Sequence, residues 1–202
     1  MDLYTPGTGY EDLEARIAYG LARLALEVTP EVTITPLWGV YRVSVAGESA
    51  KVDQTLRVAA TRLLASSVTV RVPGLSAKYR ESYRTVGEGG ALKPEFRDFA
   101  LSEVYGEPKS VDREAFARAM CGHTALPAFG GSKGLVMGVC SHVGKPAKRD
   151  QAARSDNLRL CSFCGALNLL ALQAAAFRLQ LTRGGASAVV TPSVTERRVP
   201  KT

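Results

Sequence analysis

The sequence predicts an α+β fold, an antiparallel sheet with helices on one face, joined to an insert that holds every cysteine. Three observations carry this. Leu13, Ile17, Leu21, Leu24 and Val28 recur at three- and four-residue steps, the spacing of one buried helix face. Val32 and Ile34, then Tyr41, Val43 and Val45, alternate with Thr33, Thr35, Arg42 and Ser44, the period of half-buried strands. Cys121, Cys140, Cys161 and Cys164 are confined to residues 121–164, together with both histidines, His123 and His142.

The elements follow in order. The first helix spans Tyr10 to Val28, and Pro30, which lacks a backbone donor, ends it. The two strands form a hairpin around Pro36 to Gly39. Ser49 is the expected N-cap of a second helix whose apolar stripe is Val52, Leu56, Ala59, Ala60, Leu63 and Leu64. A strand follows, with Val68, Val70 and Val72 alternating with Thr69 and Arg71 until Pro73-Gly74 stops it. Gly74 to Pro108 has little periodicity and reads mainly as a long loop with short ordered pieces. Ser110 caps a short helix through Met120. A final long helix is expected from about Ala166 to Leu181, then a last strand at Ala188, Val189 and Val190, and a polar tail from Glu196 to Thr202 that frays. The chain thus divides into a body over residues 1–110, a basic, cysteine-bearing insert over 111–165, and a C-terminal helix and strand over 166–202 that return to the body.

Composition narrows the function classes. A chain of 202 residues can bury a sizeable core, and 46% hydrophobic with 22% charged residues is globular rather than disordered composition. No charged n-region followed by an apolar h-region opens the sequence. The longest apolar run, Ala166 to Leu181, is broken by Asn168, Gln173, Arg178 and Gln180, so it reads as a buried helix rather than a membrane span. The expectation is a cytoplasmic protein with no membrane segment.

Cys161-Ser-Phe-Cys164-Gly165 has the C-x-x-C-G form of a zinc knuckle, in which two thiolates two residues apart reach one tetrahedral ion and the glycine tolerates unusual backbone geometry. Cys121 and Cys140 complete a closed four-sulfur set, so the insert is predicted to bind one structural Zn²⁺. His123 in place of Cys121, or His142 in place of Cys140, are the alternatives, because each histidine lies two residues from a cysteine. Disulfides are disfavoured in a cytosolic chain. A redox C-x-x-C needs a preceding strand in a βαβ unit, which the sequence does not indicate, and a Cys140–His123 catalytic pair lacks an orienting third group.

Charge points to a polyanion. The chain carries a net +7. Between Cys121 and Gly165 six basic residues, Lys133, Lys145, Lys148, Arg149, Arg154 and Arg159, face only Asp150 and Asp156, so more than half of the net charge sits there. Part of it offsets the formal −2 of a four-thiolate zinc site, and the remainder is available to nucleic acid. A second segment, Leu75 to Arg84, sets Lys78, Arg80 and Arg84 beside Tyr79 and Tyr83, combining phosphate-binding cations with rings that stack on bases; an amphipathic segment packing its tyrosines on the body fits equally well. Gly130-Gly131-Ser132-Lys133-Gly134 offers backbone N–H groups and a cation to an anion but lacks the G-x-x-x-x-G-K-[ST] pattern of nucleotide hydrolysis. The chain also lacks H-E-x-x-H, and two histidines leave little for acid–base chemistry, so an enzyme is not expected.

Leu3-Tyr4-Thr5-Pro6-Gly7, the helix segment Ile17-Ala18-Tyr19-Gly20-Leu21-Ala22 and the later cysteine knuckle resemble the large subunit of archaeal type I-A CRISPR effector (Cascade) complexes, in a compact form or as its N-terminal part. That resemblance implies a non-catalytic subunit near the 5′ end of the guide RNA. Such a subunit helps inspect the protospacer-adjacent motif and engages target DNA, alongside other subunits of the assembly. Base pairing then supplies most of the sequence specificity. Lys78, Arg80, Lys145, Lys148 and Arg149 are the candidate contacts, chosen by charge and loop placement. The competing readings are a stand-alone zinc-containing RNA-binding protein and a metal-stabilised enzyme.

Overall fold

The computed structural model describes residues 1–7, 11–67, 101–107, 133–134, 159–160, 162–174, 177–180, 187–190 and 197–198. The centre is an antiparallel sheet built from β1 (Asp2–Tyr4), β2 (Val32–Pro36) and β3 (Tyr41–Val45). β3 lies between β1 and β2 and is antiparallel to both, pairing Leu3 with Val43 and Ile34 with Val43. β1 and β2 therefore run parallel to each other, connected through helix α1 (Glu11–Ala25). The arrangement is a split β-α-β unit, in which the crossover helix covers one face of the sheet.

Strand periodicity fixes that face. Leu3, Val32, Ile34, Tyr41, Val43 and Val45 are buried, while Tyr4, Thr33, Thr35, Arg42 and Ser44 on the opposite side are half-buried. β1 is absent from the sequence-based expectation, since a three-residue strand with a single buried residue, Leu3, leaves no periodic trace. It is held at both ends: Val45 N–H donates to the Met1 carbonyl at 2.8 Å, and at the other end Thr5 N–H donates to the Tyr41 carbonyl at 2.9 Å while Thr5 Oγ1 accepts from Tyr41 N–H at 2.8 Å.

Leu13, Ile17, Leu21 and Leu24 of the predicted stripe are buried, whereas the helix ends at Ala25 rather than Val28 and Val28 is half-buried; Ala15, Ala18, Ala22, Ala25 and even Glu14 and Arg16 are buried as well. A helix is buried nearly all round only when it has neighbours on several sides. α1 touches β2 and β3 on one side, and on others α2 (Ser49–Ser67) and α4 (Ser162–Ala174). The buried Glu14 carboxylate accepts from Gly7 N–H at 3.2 Å.

α2 begins one residue earlier than a Ser49 cap requires. Its first bond runs from Val52 N–H to the Glu48 carbonyl, which makes Glu48 the capping position. The buried face is Val52, Leu56, Ala59 and Ala60 as expected; the side chains of Leu63 and Leu64 lie outside the described residues. A one-turn helix, α3 (Leu101–Val104), is a short ordered piece within the predicted loop. Its Ser102 N–H donates to Asp53 Oδ1 of α2 at 2.9 Å, and Tyr4 N–H of β1 donates to the Tyr105 carbonyl at 2.7 Å, so this segment joins α2 to the edge of the sheet.

Two C-terminal expectations are corrected. The final helix is α4, Ser162–Ala174, and not Ala166 to Leu181. Phe177–Gln180 is a strand, β6, paired antiparallel with β7 (Ser187–Val190). The alternation of Phe177 and Leu179 with Arg178 and Gln180 is a period-2 signal hidden at the end of a helix-like apolar run. The tail does not fray throughout: Arg197–Arg198 forms β8 and pairs antiparallel with Thr33 and Ile34 of β2. Edge-strand backbone groups are satisfied by such pairing whatever the polarity of the side chains. The predicted strand at Val68–Val72 and helix from Ser110 to Met120 lie outside the described residues.

Candidate functional site

Of the four predicted zinc ligands, Cys164 is among the described residues, and Cys121, Cys140 and Cys161 lie outside them, as do His123 and His142. Cys164 is the third residue of α4 and is fully buried. Its Sγ is 3.1 Å from the Tyr105 hydroxyl, and the Tyr105 and Phe163 rings meet at a centroid distance of 5.8 Å, tilted by 46°. The second cysteine of the knuckle therefore belongs to the core helix rather than to a separate appendage. Because α4 starts at Ser162, the boundary expected at residue 165 falls inside an element packed on α1.

Cys164 lies in the first turn of α4, where backbone N–H groups have no helical acceptors. A phenolic O–H at hydrogen-bond distance can donate to a metal-bound thiolate, as partners around structural zinc sites commonly do. The same geometry also suits a neutral thiol bonded to Tyr105. Among the described residues no group of three or more His, Cys, Asp or Glu side chains is placed to hold a metal ion.

A second feature bears on the predicted ligands. β4 (Lys133–Gly134) pairs antiparallel with β5 (Arg159–Leu160), setting Lys133 opposite Leu160 and Gly134 opposite Arg159. This pairing closes the segment that contains Cys140, His142, Lys145, Lys148 and Arg149. Cys140 is six residues from Gly134 in sequence, within roughly 20 Å of chain reach, and Cys161 directly follows Leu160. Chain connectivity thus allows Cys140, Cys161 and Cys164 to share one ion.

One turn further along α4 from Cys164, Asn168 is fully buried, and neither its Nδ2 nor its Oδ1 has a hydrogen-bond partner among the described residues. A buried amide with no partner costs about 1–3 kcal/mol. α4 reaches α1 closely enough that a Cβ added to Gly20 would overlap the Leu167 carbonyl oxygen and lie 2.8 Å from its carbon.

Of the predicted nucleic-acid contacts, Lys133 is placed by its backbone in β4, whereas Lys78, Tyr79, Arg80, Tyr83, Arg84, Lys145, Lys148 and Arg149 lie outside the described residues. Two participants were not anticipated from sequence. Tyr105 is 59 positions from Cys164, so no local motif could pair them. Trp38 stands at the tip of the β2–β3 hairpin at 95% exposure; its signal was an apolar pair, Leu37-Trp38, in a turn where polar residues are usual. No described helix is long and apolar enough to cross a membrane.

Comparison with known proteins gave no matching family model, no matching curated protein and no matching solved structure.

Proposed function

We propose that the chain is a zinc-stapled, non-catalytic nucleic-acid-binding subunit of a CRISPR RNA-guided interference complex. In this reading it contacts the 5′ end of the guide RNA and takes part in recognition of the protospacer-adjacent motif and target DNA. The observation that carries the binding part is the concentration of charge: six cations against two anions between Cys121 and Gly165, in a segment whose ends β4 and β5 hold together. A basic loop anchored at both ends presents its charge to a polyanion at less entropic cost than a free tail.

Zinc fixes the loop to the body. Cys121, Cys140, Cys161 and Cys164 hold the ion, with His123 or His142 as the alternative to the first or second cysteine, and the ion supplies structural cross-linking only. Because Cys164 lies in a core helix, metal binding ties the basic segment to α1 and α2 through α4. The assignment to a guide complex rests on the resemblance of Leu3 to Gly7, Ile17 to Ala22 and the knuckle. A stand-alone zinc-containing RNA-binding protein uses the same charge and the same metal, and differs in needing no partner subunits.

Binding of labelled single-stranded RNA and DNA at about 50 and about 200 mM salt tests the nucleic-acid reading. Counterion release predicts an affinity loss of about a hundredfold or more between the two conditions if five or more phosphates are neutralised. Absence of measurable binding at the lower salt contradicts it.

A further inference from the structure

We propose that Trp38 is a base-stacking contact for single-stranded nucleic acid, an inference that rests on the nucleic-acid reading above. The hairpin that carries it is built to hold the ring out. Five residue pairs run from Val32–Val45 to Pro36–Tyr41, and Leu37 N–H closes the end by donating to the Val40 carbonyl at 2.9 Å. Gly39, next to the ring, adopts φ 75°, a conformation that side-chain-bearing residues rarely take, and space around it is open to 4 Å. Trp38 is 95% exposed and Leu37 43%, while the residues at the base of the hairpin, Val40 and Tyr41, are buried.

A tryptophan held almost wholly in water contributes nothing to the core, and its large apolar surface is available to a partner. The charge around it selects the partner. From Val32 to Ala46 the only charged side chain is Arg42, a cation on β3 opposite Thr35, so the hairpin itself carries no carboxylate to repel a phosphate backbone. An exposed indole on a hairpin whose one charged side chain is a cation, in a chain of net charge +7, has the chemistry of a stacking platform for an unpaired base. Stacking is tolerant of sequence, because every base has a π-face.

Trp38 is the only tryptophan in the chain, so intrinsic emission reports on this position alone. The full chain is titrated with an unlabelled mixed-sequence single strand of about 15 nucleotides and, separately, with an abasic strand of the same length. Binding of labelled copies is followed by anisotropy. Stacking predicts that the base-bearing strand quenches Trp38 emission and the abasic strand binds without quenching. Trp38→Ala weakens binding of the base-bearing strand about tenfold, and Trp38→Phe restores most of the loss. Since the ring is almost wholly exposed, Trp38→Ala is expected to leave the fold intact, which circular dichroism checks.

Bound strand with unchanged Trp38 emission, together with wild-type affinity in Trp38→Ala, overturns the stacking role and leaves the nucleic-acid reading standing. No binding of either strand overturns both. A blue shift of the emission on adding co-isolated protein subunits free of nucleic acid also overturns the proposal, assigning the ring to a protein pocket.

Discussion

Cys164 is fully buried in the first turn of α4, with a tyrosine hydroxyl 3.1 Å from its sulfur. If it is a zinc ligand, the purified chain carries one zinc per molecule, and its X-ray absorption edge shows four sulfurs at about 2.3 Å. Cys164→Ser then releases the metal and destabilises the fold by about 3 kcal/mol or more. A plain core thiol gives a different result: no stoichiometric zinc, and a loss of only about 1–2 kcal/mol on replacement by alanine. At this scale the knuckle motif was legible in the sequence because its two cysteines and glycine are contiguous. Tyr105, which completes the environment of the sulfur, was not, because tertiary packing alone brings it there. The unpartnered Asn168 was equally hidden, since its sequence neighbours are as compatible with an exposed amide as with a buried one.

Elements were readable where periodicity ran long enough to be unambiguous. α1, β2, β3 and the buried face of α2 each follow their apolar spacing, and the alternation over Tyr41 to Val45 appears as buried and half-buried positions in strict sequence. β1 and β6 were not readable, one for shortness and the other because an apolar helix runs into it. Gly20 shows how a helix contact constrains one position: its backbone meets that of Leu167 with no room for a side chain. Gly20→Ala is expected to cost about 1–3 kcal/mol from overpacking, less up to about 1 kcal/mol of helix propensity regained. Urea denaturation measures the net loss, and a gain in stability contradicts the close α1–α4 approach.

The junction of α1 and α2 gives a pH-dependent prediction. Glu27, just beyond the end of α1, pairs with Arg23 at 2.7 Å and with Arg62 of α2. The hydrogen bond from Arg23 is the main cause of a carboxyl pKa below its ordinary value, opposed by partial burial and reinforced by the charges of Arg23 and Arg62. The unfolded chain therefore holds more protons on Glu27 as the pH falls through the unfolded value of about 4.3 towards the lower folded one. The stabilisation is fully present above that range and is lost on acidification through the folded value. With Arg62 largely exposed, the amount is small, about 0.2–1 kcal/mol. Glu27→Gln should lower stability by that amount at neutral pH and make no difference once the pH is well below the lowered folded pKa, as thermal melts across the range would register.

At the scale of the whole molecule, a split β-α-β sheet packs on a helix that also receives α4, and β8 adds to the sheet edge at β2, so these two C-terminal elements return to the core of the first 60 residues. The α+β class was legible because helix and strand periods separate cleanly over the first 60 residues. The return of β8 to β2 was not, since pairing of a two-residue strand is decided by backbone groups that every sequence shares. Charge is legible without any fold, and it is charge, concentrated between the cysteines, that makes nucleic acid the expected partner. Whether that partner is a guide RNA is decided by what the chain carries in its host. Isolating the tagged protein from that host under native conditions and sequencing the accompanying RNA tests this most directly. The account predicts enrichment of repeat-derived guide RNAs; enrichment of ribosomal or other cellular RNA instead, or an intact complex free of RNA, would contradict it.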